Sequence, residues 1–219
     1  MLKITPLPHR HLTVSGLAAM RGERLVFADV GFELSSGQAA LLRGRNGAGK
    51  STLLLCLAEV LRPSAGTITW TGRDPEARSV EDLLLAGHLP AVKSGLSVHE
   101  NLIFWARLNG DDVDRVPAAL EAAGLSELDH IGAGQLSAGQ VRRLSLARLL
   151  ISDRPVWLLD EPTSALDAQG DAWVGTMIDR HLDRGGIVLA ATHLDLALRD
   201  AGRVKTITLV PPSLEFEAQ

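Results

Sequence analysis

The stretch GRNGAGKST, at residues 44–52, constrains the fold of this chain more than any other. The short apolar run AALLRG leads into it, and the helix-like stretch STLLLCLAEV follows, so a buried strand enters a glycine-rich loop that opens a helix. Its glycines and the pair Lys50–Ser51 fit the spacing G-x-x-x-x-G-K-[ST]. Glycines let backbone N–H groups turn inward around an anion, and the helix that follows presents its positive N-terminal end. The motif therefore predicts a nucleoside-triphosphate site in an α/β fold.

Within this loop, Lys50 is expected to reach the β- and γ-phosphates, and Ser51 to offer its hydroxyl to Mg²⁺. The whole loop is predicted to contact the nucleotide: Gly44, Arg45, Asn46, Gly47, Ala48, Gly49, Lys50, Ser51 and Thr52. Taken alone, the loop leaves kinases, GTPases and many other ATPases open.

A pair of carboxylates ends the apolar stretch VWLLDE, at Asp160 and Glu161. A buried strand would deliver both to the carboxyl edge of a parallel sheet, where open α/β folds bind their ligands. We expect Asp160 to hold Mg²⁺, through water, and Glu161 to act as the general base that orients and polarises the attacking water. The alternative is an acidic turn that merely ends the strand before Pro162.

Strand and helix patterns divide the chain. The short runs RPVWLLDE and GGIVLAATH lack polar alternation, which indicates strands buried on both faces of a parallel sheet. Residues 12–40 read as β structure with turns, and Lys50 to Val60 read as a helix. From about 95 to 150 the apolar residues recur with helical period, so a helical lobe is predicted to be inserted in the α/β core.

Composition bounds the function. Hydrophobic residues make up 46% of the chain, yet no apolar run approaches the ~18 to 20 residues that cross a bilayer, so we expect a soluble protein that docks on an apolar partner. The first residues, MLKITPLPHR, form no apolar signal segment, which favours the cytoplasm. The net charge of −4, without a basic run, argues against nucleic acid as a partner. The single cysteine, Cys56, is expected to be a packed core thiol, and His9 and His11 to belong to a polar N-terminal segment.

One more motif makes the pattern specific. LSAGQ, at 136–140, joins GRNGAGKST, LSVHENL, VWLLDEP, SALD and ATH in a fixed order along nearly the whole chain. In this order the chain resembles the nucleotide-binding subunit of an ATP-binding-cassette transporter, with Ala138 where glycine is more usual. The resemblance implies a P-loop NTPase fold over residues 1–219: a RecA-like parallel core, an antiparallel β subdomain and a helical subdomain inserted at about 95–150.

In that family two cassettes pack head to tail around two ATP molecules. The resemblance implies that Ser137 and Gly139 grip the γ-phosphate held by the other copy's Lys50 loop, which also fits the positive end of the helix that starts at Ser137. Asp167, in SALD, would bridge the two sites, and His193, in ATH, would contact the γ-phosphate. The plainer readings are a capping serine, a capping aspartate and a structural strand-end histidine.

Two positions depart from the usual pattern. Where most cassettes carry a glutamine that contacts metal and water, the count along LAGHLPAVKSGLSVHENL lands on His88. We expect His88 to sense ATP through a water molecule, because imidazole is a poorer Mg²⁺ ligand than oxygen; the alternative is a histidine with no role. No tyrosine is present, and Met20 or Arg21 occupies the position of the usual adenine-stacking ring. We predict Arg21, since a guanidinium can stack on a base.

Within the family, the stretches GHLPAVK, LSVHENLIFWARL and LSAGQ resemble the ATP-binding subunit of the haem exporter of cytochrome c maturation. That resemblance implies an ATP-hydrolysing subunit, peripheral on the cytoplasmic face of the bacterial inner membrane, with a separate integral membrane permease as partner and no nucleic acid. The docking surface is expected between His88 and Trp105, where Phe104 and Trp105 either contribute or pack in the core. An importer or drug-exporter cassette, or a soluble cassette ATPase, stays open as an alternative.

Overall fold

The computed structural model of the chain describes residues 5–73 and 79–211. Its helices and strands follow one another in this order: β1 His11–Arg21, β2 Arg24–Ser35, β3 Ala39–Arg43, α1 Lys50–Leu57, β4 Ala65–Thr71, α2 Ser79–Asp82, β5 Leu83–Ala86, α3 Val98–Asn109, α4 Val116–Ala122, α5 Ala138–Ile151, β6 Val156–Asp160, α6 Ala168–Asp183, β7 Ile187–Ala191 and β8 Val204–Thr208.

The central sheet is parallel, with the spatial order β5-β6-β7-β3-β8. Every residue of β6 and of β7 is buried, as expected for strands covered on both faces. Apolar clusters lie on either side of the sheet, one shared with α1 and the other with α5 and α6. Because the strands are parallel, β3, β6 and β7 all end at the same edge, and the predicted phosphate loop, carboxylate pair and histidine all follow there.

A second sheet is antiparallel, with β1 between β2 and β4. It packs onto the phosphate-loop side of the core, since Leu12, Phe27 and Leu34 share one apolar cluster with Leu53 of α1. The register of β1 shifts against β2 between Val14 and Leu17, which marks an irregularity in the strand.

Three helices, α3, α4 and α5, form a third apolar cluster with the short turns between them. Ser97 begins α3 with a capping box, in which Ser97 Oγ accepts from the Glu100 N–H and the Glu100 carboxylate accepts from the Ser97 N–H. Gly110 ends the helix in the left-handed conformation, at φ 71°. The predicted fold class, a parallel P-loop core with an antiparallel sheet and added helices, is confirmed.

Two details complete the fold. Helix α1 ends at Leu57 and not at Val60 as predicted, because Glu59 adopts a left-handed φ of 57° that stops the helix. Cys56 is 1% exposed in the core, as predicted, and burial raises the pKa of its thiol. No helix within the described ranges has the length and apolarity needed to cross a bilayer.

Candidate functional site

The loop between β3 and α1 has the backbone of an anion cradle. Gly44, Gly47 and Gly49 adopt φ values of 147°, 80° and 96°, which residues with a side chain rarely adopt. A Cβ at Gly49 would lie 2.5 Å from Val26 Cγ1 and 2.8 Å from Phe27 Cδ1 of β2. The loop therefore needs glycine there both for its turn and for its close approach to the antiparallel sheet.

Lys50 opens α1 and is only 8% exposed. Its Nζ donates to the carbonyl of Gly44 at 2.9 Å and lies 3.1 Å from Nε2 of His193. The ammonium group is thus held across the mouth of the loop, where the first N–H groups of α1 also point. Ser51, next along the helix, is exposed.

The two carboxylates differ in their surroundings. Asp160 ends β6 and is 8% exposed, whereas Glu161 follows it with a φ of 47° and a half-buried side chain. The Glu161 N–H donates to the carbonyl of Ala191 at 2.7 Å, which ties the end of β6 to the end of β7. Glu161 Oε1 lies 3.4 Å from His193 Nε2, so the predicted base and the predicted γ-phosphate ligand face each other.

Arg142, which is not among the predicted site residues, holds this corner in place. Its guanidinium, 3% exposed on α5, donates to the carbonyls of Asp160 at 2.7 Å, Glu161 at 2.6 Å, Pro162 at 3.1 Å and Gly87 at 3.1 Å. Burial lowers the pKa of Arg142, and the charges of Asp160 and Glu161 act in the opposite sense. One buried cation thereby connects the carboxylate turn to the loop that carries His88.

The phosphate loop and the two carboxylates line one cleft of about 460 Å³, within the range of small-molecule sites, whereas His193 lines an adjoining recess with Arg45 and Asn46. Both Arg21 and His88 face the cleft together with the phosphate loop, whereas Met20, the alternative to Arg21, is not among its lining residues. Arg24, opposite Arg21 across the β1–β2 turn, also lines it and was not predicted. The full lining is Arg21, Arg24, Val26, Asn46, Gly47, Gly49, Lys50, Ser51, Thr52, His88, Asp160 and Glu161.

Ser137 and Gly139 lie outside that cleft. Ser137 is exposed and caps α5, since its Oγ accepts from the Gln140 N–H while Gln140 Oε1 accepts from the Ser137 N–H. A Cβ at Gly139 would lie 3.1 Å from the carbonyl of Ala165. The N-terminus of α5 is therefore exposed, and it does not line the cleft that contains the phosphate loop of the same chain.

Asp167 caps α6, its Oδ1 accepting from the Gly170 N–H at 2.8 Å. The same oxygen lies 3.5 Å from Arg143 Nη2 of α5, and the carboxylate stays 72% exposed. The capping reading of Asp167 is thus present in the structure, and its exposed position is also compatible with a contact to another chain.

Two further predicted positions are half-buried. Trp105 donates its indole N–H to the carbonyl of Ala91 at 2.8 Å and lies under the guanidinium of Arg148, at 4.6 Å from its ring centroid. Phe104 packs edge-on against Trp105. At the N-terminus, the ring of His11 bonds Ser35 Oγ and Thr13 Oγ1, and His9 is exposed.

Chemically, the cleft joins an anion cradle to a pair of carboxylates. Backbone N–H groups and Lys50 can neutralise a polyphosphate, and Asp160 and Glu161, which line the same cleft, can meet a cation or a water molecule. This arrangement suits phosphoryl transfer to water from a nucleoside triphosphate.

The model of the ABC transporter family matches residues 27–164 of the chain. The chain is 49% identical, over 187 residues, to the cytochrome c biogenesis ATP-binding export protein CcmA of Rhodopseudomonas palustris, covering 85% of this chain and 94% of that protein. It is 46% identical over 201 residues to the protein of the same name from Rhizobium johnstonii, covering 89% and 94%.

Solved structures agree on the fold. A putative ABC transporter ATP-binding protein from Pyrococcus furiosus superposes with a TM-score of 0.77 at 22% identity, over 90% of this chain and 97% of that one. An ATP-binding cassette of an ABC transporter in its ADP conformation, MJ1267, superposes with a TM-score of 0.74 at 20% identity, over 92% and 89%.

The predicted resemblance is thereby confirmed, both for the motif series and for its narrower form. The chain belongs to the nucleotide-binding ATPases of the ABC transporter family, and within it to the family of the cytochrome c biogenesis ATP-binding export proteins CcmA.

Proposed function

We propose that this chain is the ATP-hydrolysing subunit of a haem exporter that acts in cytochrome c maturation. The single observation that carries the proposal is the convergence of Lys50, the Asp160–Glu161 pair and His193 at one edge of the sheet. The names of its relatives supply the physiological setting: cytochrome c biogenesis and export.

The residues present fit a Mg²⁺–ATP complex. Asp160, which is 8% exposed, lines the cleft together with Ser51, and its carboxylate accepts no hydrogen bond from any residue that the structure describes. Carboxylate, hydroxyl and water oxygens are the ligands that Mg²⁺ prefers. In our proposal Ser51 and Asp160 hold the ion, which, when bound, neutralises charge on the β- and γ-phosphates.

Hydrolysis then needs a positioned water and a base. The carboxylate of Glu161 accepts a proton from water as the water oxygen bonds to the γ-phosphorus, and the bond from that phosphorus to the bridging oxygen of ADP breaks. Lys50 and the loop N–H groups stabilise the charge that develops on the phosphate oxygens. His193, whose Nε2 lies 3.1 Å from Lys50 Nζ and 3.4 Å from Glu161 Oε1, would contact the γ-phosphate. His88, at the cleft wall, would contact the water.

A second copy would complete each site. Ser137 and Gly139 sit at an exposed helix N-terminus away from their own chain's cleft, and such an N-terminus favours an anion. In the closed state each copy would lend this turn to the γ-phosphate of the other, with exposed Asp167 at the same contact. Because only ATP offers the γ-phosphate, hydrolysis would release the pair.

We propose that the membrane partner binds outside the cleft, and that haem is handled with that partner. We place the docking surface on residues 88–105, where Leu89 is 82% exposed between the cleft wall and α3. Half-buried Phe104 and Trp105 would mainly support that surface from below. The chain would lie on the cytoplasmic face of the bacterial inner membrane, held there by an integral permease subunit.

The test is co-purification. The tagged full chain is drawn from detergent-solubilised membranes, the proteins that accompany it are identified, and their ATP hydrolysis is measured. A membrane subunit encoded beside haem-handling or cytochrome c assembly proteins is the expected result, with activity that Glu161→Gln abolishes. An importer permease, or activity that survives Glu161→Gln, would contradict the proposal.

A further inference from the structure

The last residue before the phosphate loop, Arg43, reaches across the sheet edge to a different loop. It ends β3, which runs parallel to β7 with Leu42 paired to Ala191. The two strands leave the sheet side by side, one into the phosphate loop and the other into the turn that carries His193. The Arg43 side chain, 19% exposed, fills the space between these exits.

The guanidinium of Arg43 secures the backbone on both sides of His193. Its Nη1 donates to the carbonyl of Thr192 at 2.9 Å and to the carbonyl of Leu194 at 2.9 Å, and its Nη2 pairs with the carboxylate of Asp195. Thr192 is 0% exposed, so its carbonyl has little access to water and depends on this donor. A planar guanidinium can serve several acceptors at once, as a single ammonium point charge does not.

Hydrogen bonds within the turn, between Thr192 and Leu194, also fix its conformation. The Leu194 N–H donates to Thr192 Oγ1 at 3.1 Å, and Thr192 Oγ1 donates back to the Leu194 carbonyl at 3.3 Å. The His193 side chain is 47% exposed, and its Nε2 lies 3.1 Å from Lys50 Nζ and 3.4 Å from Glu161 Oε1. Because about half of the imidazole is exposed, the position of its backbone decides where the ring lies relative to Lys50 and Glu161.

We propose that Arg43 is a positioning residue for ATP hydrolysis: it fixes the turn that aims His193 at the γ-phosphate. Its backbone leads into the phosphate loop and its side chain holds the histidine turn, so one residue sets the distance between the two. This inference rests on the proposed role of His193 in hydrolysis.

The experiment is a double-mutant cycle between Arg43→Leu and His193→Ala, measured as single-turnover ATP hydrolysis by the full chain purified with its co-purifying membrane proteins. Arg43→Leu is expected to lower the rate by about 10- to 100-fold, since misplacement by about 1 Å can cost up to 100-fold. The KM for ATP should stay within about twofold of the wild-type value, because Arg43 does not line the cleft. In the His193→Ala background the same substitution should have almost no further effect.

Two variants control for folding and charge. Asp195→Asn keeps both carbonyl contacts of Arg43, and since Asp195 is 99% exposed it should hydrolyse ATP at the wild-type rate. Arg43→Lys keeps the positive charge but not the planar guanidinium, so its rate of ATP hydrolysis should lie between those of wild type and Arg43→Leu. If Arg43→Leu does not fold, Arg43→Lys takes its place in the test. Equal losses in both His193 backgrounds, or a loss that appears in KM alone, would overturn the inference. Failure of the proposed function itself is recognised separately, because the wild-type complex would then not hydrolyse ATP.

Discussion

Oε1 of Glu161 and Nε2 of His193 lie 3.4 Å apart, although the two residues are 32 positions apart along the chain. They meet because β6 and β7 are neighbours that end at one edge, where the Glu161 N–H also donates to the Ala191 carbonyl. The sheet therefore brings the proposed proton acceptor and the proposed γ-phosphate ligand to the same edge.

Glu161→Gln should remove hydrolysis while keeping ATP bound. The amide occupies the same place but cannot accept the proton of the attacking water, and loss of a general base typically lowers a rate by about 100-fold or more. ATP turnover and equilibrium ATP binding are measured on the same preparation. Turnover at the wild-type rate would contradict the assignment of the base.

His88→Ala should weaken the hydrolysis that the membrane partner stimulates. The loss of one net hydrogen bond to water, about 1 kcal/mol, corresponds to roughly fivefold in rate. His88→Gln, which restores the residue usual in the family, is the matched variant and should hydrolyse at least as fast as wild type. Unchanged stimulated hydrolysis in His88→Ala would leave the histidine without a role.

Arg21→Ala should weaken ATP binding. A guanidinium stacked on a base at an exposed site contributes about 0.5–1 kcal/mol, so the Kd should rise by about two- to fivefold. Met20→Ala is the control: Met20 is 45% exposed and lies outside the lining of the cleft. An unaltered Kd in Arg21→Ala, or a larger change in Met20→Ala, would speak against Arg21.

The free energy of unfolding should decrease at acidic pH because His181 is buried in its neutral form. This histidine, 2% exposed, stacks on Trp157 with ring centroids 3.7 Å apart, and burial lowers its pKa to about 3. In the unfolded chain the His181 imidazole is protonated below about pH 6.5, whereas in the folded chain it stays neutral down to about pH 3. The free energy of unfolding therefore keeps its full value above pH 6.5 and decreases as the pH falls from 6.5 toward 3.

The loss amounts to about 1.4 kcal/mol per pH unit in that window. Urea unfolding of wild type and His181→Gln at pH 5.0 to 7.5 measures it, with the exposed His9→Gln as control. The His181 variant should lose the slope while the His9 variant keeps it; parallel slopes in all three would refute the assignment.

Many features of this site could be predicted from the sequence because each of its motifs is a short, continuous stretch. Each of GRNGAGKST, VWLLDE and LSAGQ fixes its own turn through glycine, a strand end or a helix cap, so the positions of Lys50, Glu161 and Ser137 followed from spacing. Strands β6 and β7 could be predicted from their nearly continuous apolar runs.

What the sequence did not reveal depends on partners far along the chain. Arg142 and Arg43 act through backbone carbonyls, which every residue has, so no residue type at the other end marks the contact. Strand β8 was missed because it is a partly exposed edge strand, and β5 because it is only four residues long. The end of α1 was misplaced because the left-handed turn at Glu59 carries no glycine.

Sedimentation velocity of the Glu161→Gln chain with ATP and Mg²⁺ shows whether two copies of the chain enclose the nucleotide, on which the proposed hydrolysis depends. We expect a dimer that forms only with ATP and that disappears when Ser137→Arg is added to the same chain, since Ser137 is exposed and its replacement leaves the chain's own cleft intact. A monomer under all conditions, or a dimer that persists in the Ser137→Arg variant, would contradict the proposed arrangement.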